Sequence, residues 1–248
     1  MDAQEKSLLA SVLIGCIFAA IVIAYFVITI LKHHKRSLRL YKERLRAEIT
    51  TLENERERIA ADLHDELAPV LLAANMNMNS LEIESTEDRE IVRKTSRNIE
   101  NSIGRIREIS NNLLPAALLR KGLIVALQES IENLKRKTDL EIILHYEDIP
   151  ELEHEKLINI FRMVQEIIQN TIKHSKATIL RINLDKKNRM LLISTNDNGI
   201  GFDYKKKVSD NSGLGLRNLY SRTEMLKGKM YLESKIGKGT IFSFEIPL

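Results

Sequence analysis

QEIIQNTIKHSKA, residues Gln165–Ala177, closes a helix that the pattern predicts over Glu153–His174, and its reading decides the fold. Glu166 and Asn170 stand four apart and share a helix face. The amide oxygen of Asn170 can complete the octahedral shell of a magnesium ion that otherwise holds waters and phosphate oxygens. Lys173 and His174 are close enough in sequence to add phosphate contacts; equally, Glu166, Lys173 and His174 read as an ordinary solvated helix face. Three glycine-bearing stretches follow in a fixed order: DNGIGFD (Asp197–Asp203), SGLGLRN (Ser212–Asn218) and GKGT (Gly237–Thr240). Each is weak alone; their order after Asn170 is the signal.

Asp197 directly follows the apolar strand LLISTN. A carboxylate at a strand end can accept the exocyclic amine of adenine. Gly199 and Gly201 allow positive φ and close approach of a ring. Tyr204–Ser212 is polar and Lys-rich, as in a flexible lid, with Lys205–Lys207 either solvated or on phosphates. Gly213 and Gly215 precede a helix, whose first N–H groups can cradle phosphates at a positive dipole end. Gly237 and Gly239 on their own would be a turn between strands. Around these landmarks Leu118–Lys135 and Asn218–Leu226 read as helices. Leu140–Tyr146, Thr178–Leu184, Met190–Thr195, Met230–Ser234 and Thr240–Ile246 read as strands. That mixture predicts an α+β sandwich, sheet on one side and helices on the other.

Upstream the pattern is helical. Leu38, Leu45, Leu52 and Ile59 recur every seven residues, a coiled-coil seam interrupted by Lys42 and Arg56. The stripe runs on through Leu63, Leu67 and Met78. Ser85, with Asp88 three residues later, reads as the cap of a second helix that ends between Asn111 and Pro115. Two such helices hide their apolar stripes best as a four-helix bundle in a dimer. His64 lies one position off the stripe, flanked by Ala60, Ala61 and Ala68, so its ring has a clear approach. Asp65 follows it; a carboxylate bonded to one ring nitrogen leaves the other free to attack. Pro69 removes the hydrogen bond to the Asp65 carbonyl and disturbs the helix, either as a simple bend or as a bistable hinge.

The N-terminal region has a different composition. Ser7–Leu31 carries no charge in 25 residues, enough to cross a hydrocarbon core of roughly 30 Å. A cleaved signal peptide would have a shorter apolar stretch with basic residues before it. Here Lys32, Lys35, Arg36 and Arg39 come after it, which predicts the N-terminus outside and the rest in the cytoplasm. Only Met1–Lys6 would lie outside, too few residues for an external sensor domain. The net charge is +4, and Lys32–Arg46 holds seven Lys/Arg against one acid, +6, so the rest carries −2. A basic face for direct nucleic-acid binding is therefore not expected, whereas basic charge beside an apolar run fits a membrane surface. The single Cys16 excludes a disulfide framework and a multi-cysteine zinc site.

Taken with ERERIAADLHDELAPV (Glu55–Val70) and NNLLPAALLRKGLIVALQESI (Asn111–Ile131), these stretches resemble the GHKL ATPase superfamily and, within it, the NarX/DesK-like sensor histidine kinases. The resemblance covers about Arg56 to the C-terminus. It implies a short extracytoplasmic tail (1–6), a single transmembrane helix (7–31), a coiled-coil linker (32–55), a dimerisation and phosphotransfer domain (56–117) and a GHKL ATP-binding domain (118–248). It implies His64 as phosphoacceptor, with Asp65 and Glu166 as further catalytic residues, and Asn170 as the magnesium ligand. Asp197 would read adenine, and Gly199, Gly201, Gly213 and Gly215 would be lid glycines. Lys173, His174, Leu214, Leu216 and Thr240 would be further ATP contacts. The implied partners are a second copy of the chain and a separate response regulator, commonly one with a DNA-binding output domain. One departure stands out. Members of this subfamily usually carry Gln five residues after the histidine, and the main histidine-kinase class carries Thr or Asn at plus four. Here those positions are Pro69 and Ala68, so phosphatase activity is not expected. Two other readings, a GHKL ATPase of another kind and a silent membrane scaffold, are disfavoured by the His-Asp box and by the intact Asn170, Asp197 and glycines.

Overall fold

The computed structural model describes residues 3–83, 85–135, 137–203 and 214–248, with side chains from Ile21 onward apart from that of Leu214. Residues 1–49 and 50–248 form two units. The first, from Ala3, is a length of helix α1 (Ala3–Ala61), which carries a surface ion pair between Arg39 and Glu43. The expected membrane span, Ser7–Leu31, lies mostly over residues 7–20, whose side chains are outside those described. Among the described residues no helix is long and apolar enough to cross a membrane. In the remainder of the run Ile21, Ile23, Tyr25, Phe26 and Ile30 are all exposed.

In the second unit α1 runs into a π turn, Asp62–Leu67, then α2 (Ala68–Asn79), and returns as α3 (Thr86–Leu113). Ser85 caps α3 as expected, accepting the N–H of Asp88 at 3.3 Å. The hairpin is pinned by polar bonds. Ser96 Oγ donates to Asn75 Oδ1 at 2.7 Å, and Ser110 Oγ donates to the Ala60 carbonyl at 3.0 Å. Pro69 has no N–H for the Asp65 carbonyl and its ring crowds that carbonyl. The disturbance takes the form of a wider turn before the proline, in which the Ala68 N–H bonds the Leu63 carbonyl five residues back. Leu67, Val70, Met76, Ile91 and Ile109 remain exposed along the hairpin.

The sandwich follows: α4 (Ala116–Lys121), α5 (Leu123–Lys135), β1 (Glu141–Glu147), α6 (His154–Asn170), β2 (Ile179–Lys187), β3 (Met190–Asp197), α7 (Leu214–Met225), β4 (Lys229–Ser234) and β5 (Thr240–Pro247). The sheet order is β1-β2-β3-β5-β4, with β1 and β2 parallel and the other pairs antiparallel. Side chains alternate across a strand. Leu180, Ile182 and Leu184 on β2, Leu191 and Ile193 on β3, and Phe244 and Ile246 on β5 are therefore buried on one face. Against them pack Ile160, Phe161, Val164, Ile167 and Ile168 of α6, with Leu127 of α5 and Leu219 of α7. Truncating Phe161, fully buried at the centre, would cost about 3–5 kcal/mol.

Two expected helices differ. Leu118–Lys135 is broken at Gly122, whose φ of +84° ends α4 before α5 begins. The helix expected from Asn218 starts at Leu214, because Gly215 lies inside its first turn rather than before it.

Candidate functional site

A cavity of about 480 Å³ opens where the end of α6, the end of β3 and the start of α7 meet. That volume is within the usual range for small-molecule sites. Ile167, Asn170, Thr171 and His174 reach it from one stripe of α6 and its extension. After Asn170 the helix widens into a π turn, Thr171–Ser175, and stops at Lys176 in the left-handed region, φ +53°. Asn170 Nδ2 donates to Glu166 Oε1 at 3.0 Å. That bond fixes the amide and leaves its oxygen, without a hydrogen bond among the described residues, for a cation or a water. His174 lines the cavity; Lys173 is exposed and does not.

Asp197 is buried at the end of β3. Its Oδ1 accepts the Gly199 N–H at 2.8 Å, and the facing Thr240 adds a backbone and a hydroxyl bond. Burial raises its pKa, and these bonds pull it back only in part. Beside it Asn198 Oδ1 accepts the N–H groups of Thr178 and Ile179 at 2.9 and 3.0 Å, which ties the start of β2 to this loop. Gly199 sits against Ser175, whose carbonyl accepts the Ile200 N–H at 2.8 Å. Gly201 is held at φ +59°, and a Cβ there would lie 2.1 Å from the Lys235 carbonyl, so no other residue fits.

Gly215 also approaches its neighbours too closely for a side chain. A Cβ on it would lie 2.3 Å from Glu166 Oε1 and 3.0 Å from Asn170 Nδ2. The first turn of α7 therefore lies directly over the Glu166–Asn170 pair, with Leu216 also lining the cavity. Of the remaining expected site residues, Gly213 and the side chain of Leu214 lie outside the described residues, as do Lys205–Lys207.

The structure thus brings Glu166, Asn170, His174, Asp197, Gly201, Gly215, Leu216 and Thr240 around one cavity. Ile167, Thr171, Ser175, Ile200, Phe202 and Phe242 also line it and were not singled out from sequence. The spacing 167-170-171-174 is the stripe that would have found the first two, and the alternation of β5 would have found Phe242. The apolar walls suit a flat ring, and the buried carboxylate of Asp197 suits an amine on its edge.

His64 is not part of this cavity. It lies exposed on the π turn, with Asp65 and Glu66 also exposed. Among the described residues no side-chain hydrogen bond joins Asp65 to the His64 ring, so the expected orienting contact is not formed.

A buried acid at a strand end, an amide on the neighbouring helix and a glycine-started helix over it define a nucleotide-binding domain. Residues 155–248 match the family described as histidine kinase-, DNA gyrase B- and HSP90-like ATPase, and residues 55–118 match the histidine kinase family. The chain belongs to the histidine kinases, in the NarX-like group of the GHKL superfamily. It is 30% identical over 202 residues to the sensor protein VraS of Staphylococcus saprophyticus, covering 79% of this chain and 56% of that protein. It is 27% identical over 222 residues to the oxygen sensor histidine kinase NreB of Staphylococcus carnosus, covering 86% of this chain and 62% of that protein. The chain therefore spans less than two thirds of the length of either relative. Among solved structures it is similar to the histidine kinase domain of the blue-light-activated kinase EL346 of Erythrobacter litoralis, with a TM-score of 0.48, 16% identity and coverage of 79% of this chain and 94% of that one.

Proposed function

We propose that this chain is an ATP-dependent protein histidine kinase that phosphorylates itself on His64 and passes the phosphoryl group to an aspartate of a separate response regulator. The observation that carries the reading is the convergence of Asn170, Asp197 and Gly215 on one cavity, together with an exposed histidine on a separate helical hairpin. Asp197 accepts the adenine amine, while Ile167 and Phe242 enclose the ring. The first N–H groups of α7 hold phosphate oxygens. Asn170, set by Glu166, would hold a magnesium ion, which when bound neutralises charge on the phosphates.

In the transfer the bond from the γ-phosphorus to its bridging oxygen breaks. A bond from phosphorus to one ring nitrogen of His64 forms, and ADP leaves with the electron pair. The proton on the other ring nitrogen passes to Asp65 once that carboxylate has turned to meet the ring. Because His64 and the cavity are separate, the ATP-binding domain must move, or the cavity of a second chain must reach the histidine.

Exposed Leu67, Val70, Met76 and Ile91 on the hairpin support a homodimer in which two hairpins make a four-helix bundle. The uncharged run Ser7–Leu31, followed by Lys32–Arg46, supports a single-pass anchor with the N-terminus outside and the catalytic part in the cytoplasm. A regulator with a DNA-binding output domain would be the downstream partner.

The test is labelling of the full chain in detergent with ATP and magnesium. Acid-labile phosphate should appear, His64→Gln should abolish it with ATP binding intact, and Asn170→Asp should weaken both. Phosphate persisting in His64→Gln refutes the assignment.

A further inference from the structure

Asn198 is an exposed residue between two buried ones at the cavity end of β3, Asp197 and Gly199. It lies one step past the last pair of the β2–β3 ladder, Leu180 with Asp197. Continued in register, the ladder would pair Asn198 with Ile179, and a hydrogen-bonded antiparallel pair exchanges two main-chain bonds. One of them is present: the Asn198 N–H donates to the Ile179 carbonyl at 3.3 Å. The return bond is made by the side chain instead. Asn198 Oδ1 accepts the Ile179 N–H at 3.0 Å and the Thr178 N–H at 2.9 Å. Nδ2 completes the tie by donating to Thr178 Oγ1 at 2.8 Å. A carboxamide can do this because it offers the same acceptor and donor types as a peptide group.

This substitution of side chain for main chain lets the ladder end at Asn198 and the backbone turn at once. The next N–H, of Gly199, folds back onto Asp197 Oδ1 at 2.8 Å, and that of Ile200 crosses to the Ser175 carbonyl at 2.8 Å. The turn has no slack, since a Cβ on Gly199 would lie 2.4 Å from the same carbonyl. The bond that orients the Asp197 carboxylate therefore depends on where Asn198 leaves the strand. Hydrogen bonds as exposed as those of Asn198 add little to stability, because water replaces them when they break. Their effect on geometry is larger. A shift of about 1 Å in Asp197 takes a donor at about 2.9 Å out of hydrogen-bonding range.

We propose that Asn198 is a positioning residue for adenine recognition: its carboxamide ends the β2–β3 ladder and thereby aims the Asp197 carboxylate at the exocyclic amine. This rests on the adenine reading of Asp197 above and deepens it. What the position requires is an acceptor where Oδ1 stands. Aspartate meets that requirement, with the Thr178 hydroxyl turning to donate, and alanine does not.

The experiment uses the full chain in detergent and two nucleotides, ATP and purine riboside triphosphate, which has no exocyclic amine. Calorimetry with magnesium gives both dissociation constants for wild type, Asn198→Ala and Asn198→Asp. Wild type should prefer ATP by about tenfold or more, as expected of a hydrogen bond to a charged acceptor. In Asn198→Ala the preference should fall below about threefold through weaker ATP binding, with the analogue's affinity within about twofold of wild type. Asn198→Asp should keep the preference, because its added charge repels both triphosphates alike and cancels in the ratio. The aspartate variant tests the role even where the alanine variant does not fold. Hydrogen exchange over 178–180 without nucleotide should be faster in Asn198→Ala and near wild type in Asn198→Asp. A preference kept in Asn198→Ala, an equal loss of both nucleotides in it, a preference lost in Asn198→Asp, or unchanged exchange in Asn198→Ala each overturns the positioning role. A wild type that binds both nucleotides alike, or neither, overturns the adenine reading of Asp197 and the role of Asn198 with it. That failure is told apart from the others because it shows in the wild type, before any substitution.

Discussion

Gly215→Ala separates binding from folding at the point where α7 meets α6. The added methyl would lie 2.3 Å from Glu166 Oε1 and 3.0 Å from Asn170 Nδ2, where ordinary contact begins at 3.4 Å. The Glu166 carboxylate must retreat by about 1 Å, and its 3.0 Å bond to Asn170 breaks. A hydrogen bond to a charged group is worth about 1.5–3 kcal/mol. For stability that loss is offset, since alanine is favoured over glycine in a helix by up to about 1 kcal/mol. Glu166 is also half-buried and regains water when it moves. Binding has no such offset, because Asn170 loses the contact that orients its oxygen. The affinity for ATP with magnesium should fall by about 10- to 100-fold, at 1.4 kcal/mol per tenfold. Thermal unfolding without nucleotide should change little. The assay is titration calorimetry with and without magnesium, beside a melting curve of the same sample. Affinity within about twofold of wild type in a folded variant would refute the view that α7 presses on the Glu166–Asn170 pair, as would an equal loss without magnesium.

Asp197→Asn should bind ATP about tenfold or more weakly, having lost a charged acceptor, yet melt no lower at pH 7. Burial raises the folded-state pKa of Asp197 above the ordinary 3.8, so its ionised form costs stability at neutral pH, and that cost disappears as pH falls below 3.8. A lower melting temperature of the variant at pH 7 would contradict this. For Glu53 the sign is opposite. Its buried carboxylate meets Arg162 at 2.9 Å, Arg222 at 2.6 Å and Arg56 at 3.0 Å, and its folded-state pKa lies below the ordinary 4.5, so the contribution of these ion pairs is complete above 4.5 and lost as pH falls through the lower value. Exchange over 50–61, corrected for intrinsic rate, should therefore stay slow to about pH 4.5, and opening near pH 6 would count against the ion pair. Lastly, Ala68 is buried and Pro69 has no polar side chain, so neither aligns a water beside His64. With ADP bound, the protein should speed loss of the regulator's aspartyl phosphate by less than about tenfold; a larger acceleration would show another group positioning that water.

The ATP-binding half was legible because its signals are local. Strand alternation on β2, β3 and β5 and the order of Asn170, Asp197 and the glycines are written in single short segments. The start of α7 was misplaced because Gly215 reads as a turn former, whereas its role is to have no side chain where Glu166 stands. Gly122 was absorbed into a helix because one glycine in an apolar pattern does not announce φ +84°. The buried ion pairs of Glu53 with Arg162 and Arg222 were invisible for a different reason. Glu53 and Arg222 are 169 residues apart, and in sequence each looks like a solvated charge on a helix. Only tertiary packing buries them together.

Both residues proposed to carry the chemistry stand at π turns, His64 inside Asp62–Leu67 and Asn170 immediately before Thr171–Ser175. The two turns have different local causes. The first answers Pro69, which cannot bond the Asp65 carbonyl; the second ends a helix at Lys176 in the left-handed region. The consequence is shared, because an i→i+5 turn is wider than an α turn and changes which side chains stand above one another. At the cavity Asn170, just before the turn, and His174, within it, both line the site, while Lys173 is exposed. At His64 the Ala68 N–H bonds the Leu63 carbonyl five residues back, and Pro69 brings no N–H to the turn. The same proline therefore does two things. It leaves His64 exposed on a widened turn, and it puts no polar side chain five residues after the histidine. On the kinase reading proposed above, a chain built this way favours loading the histidine over unloading the regulator, because nothing at Ala68 or Pro69 aligns a water beside it.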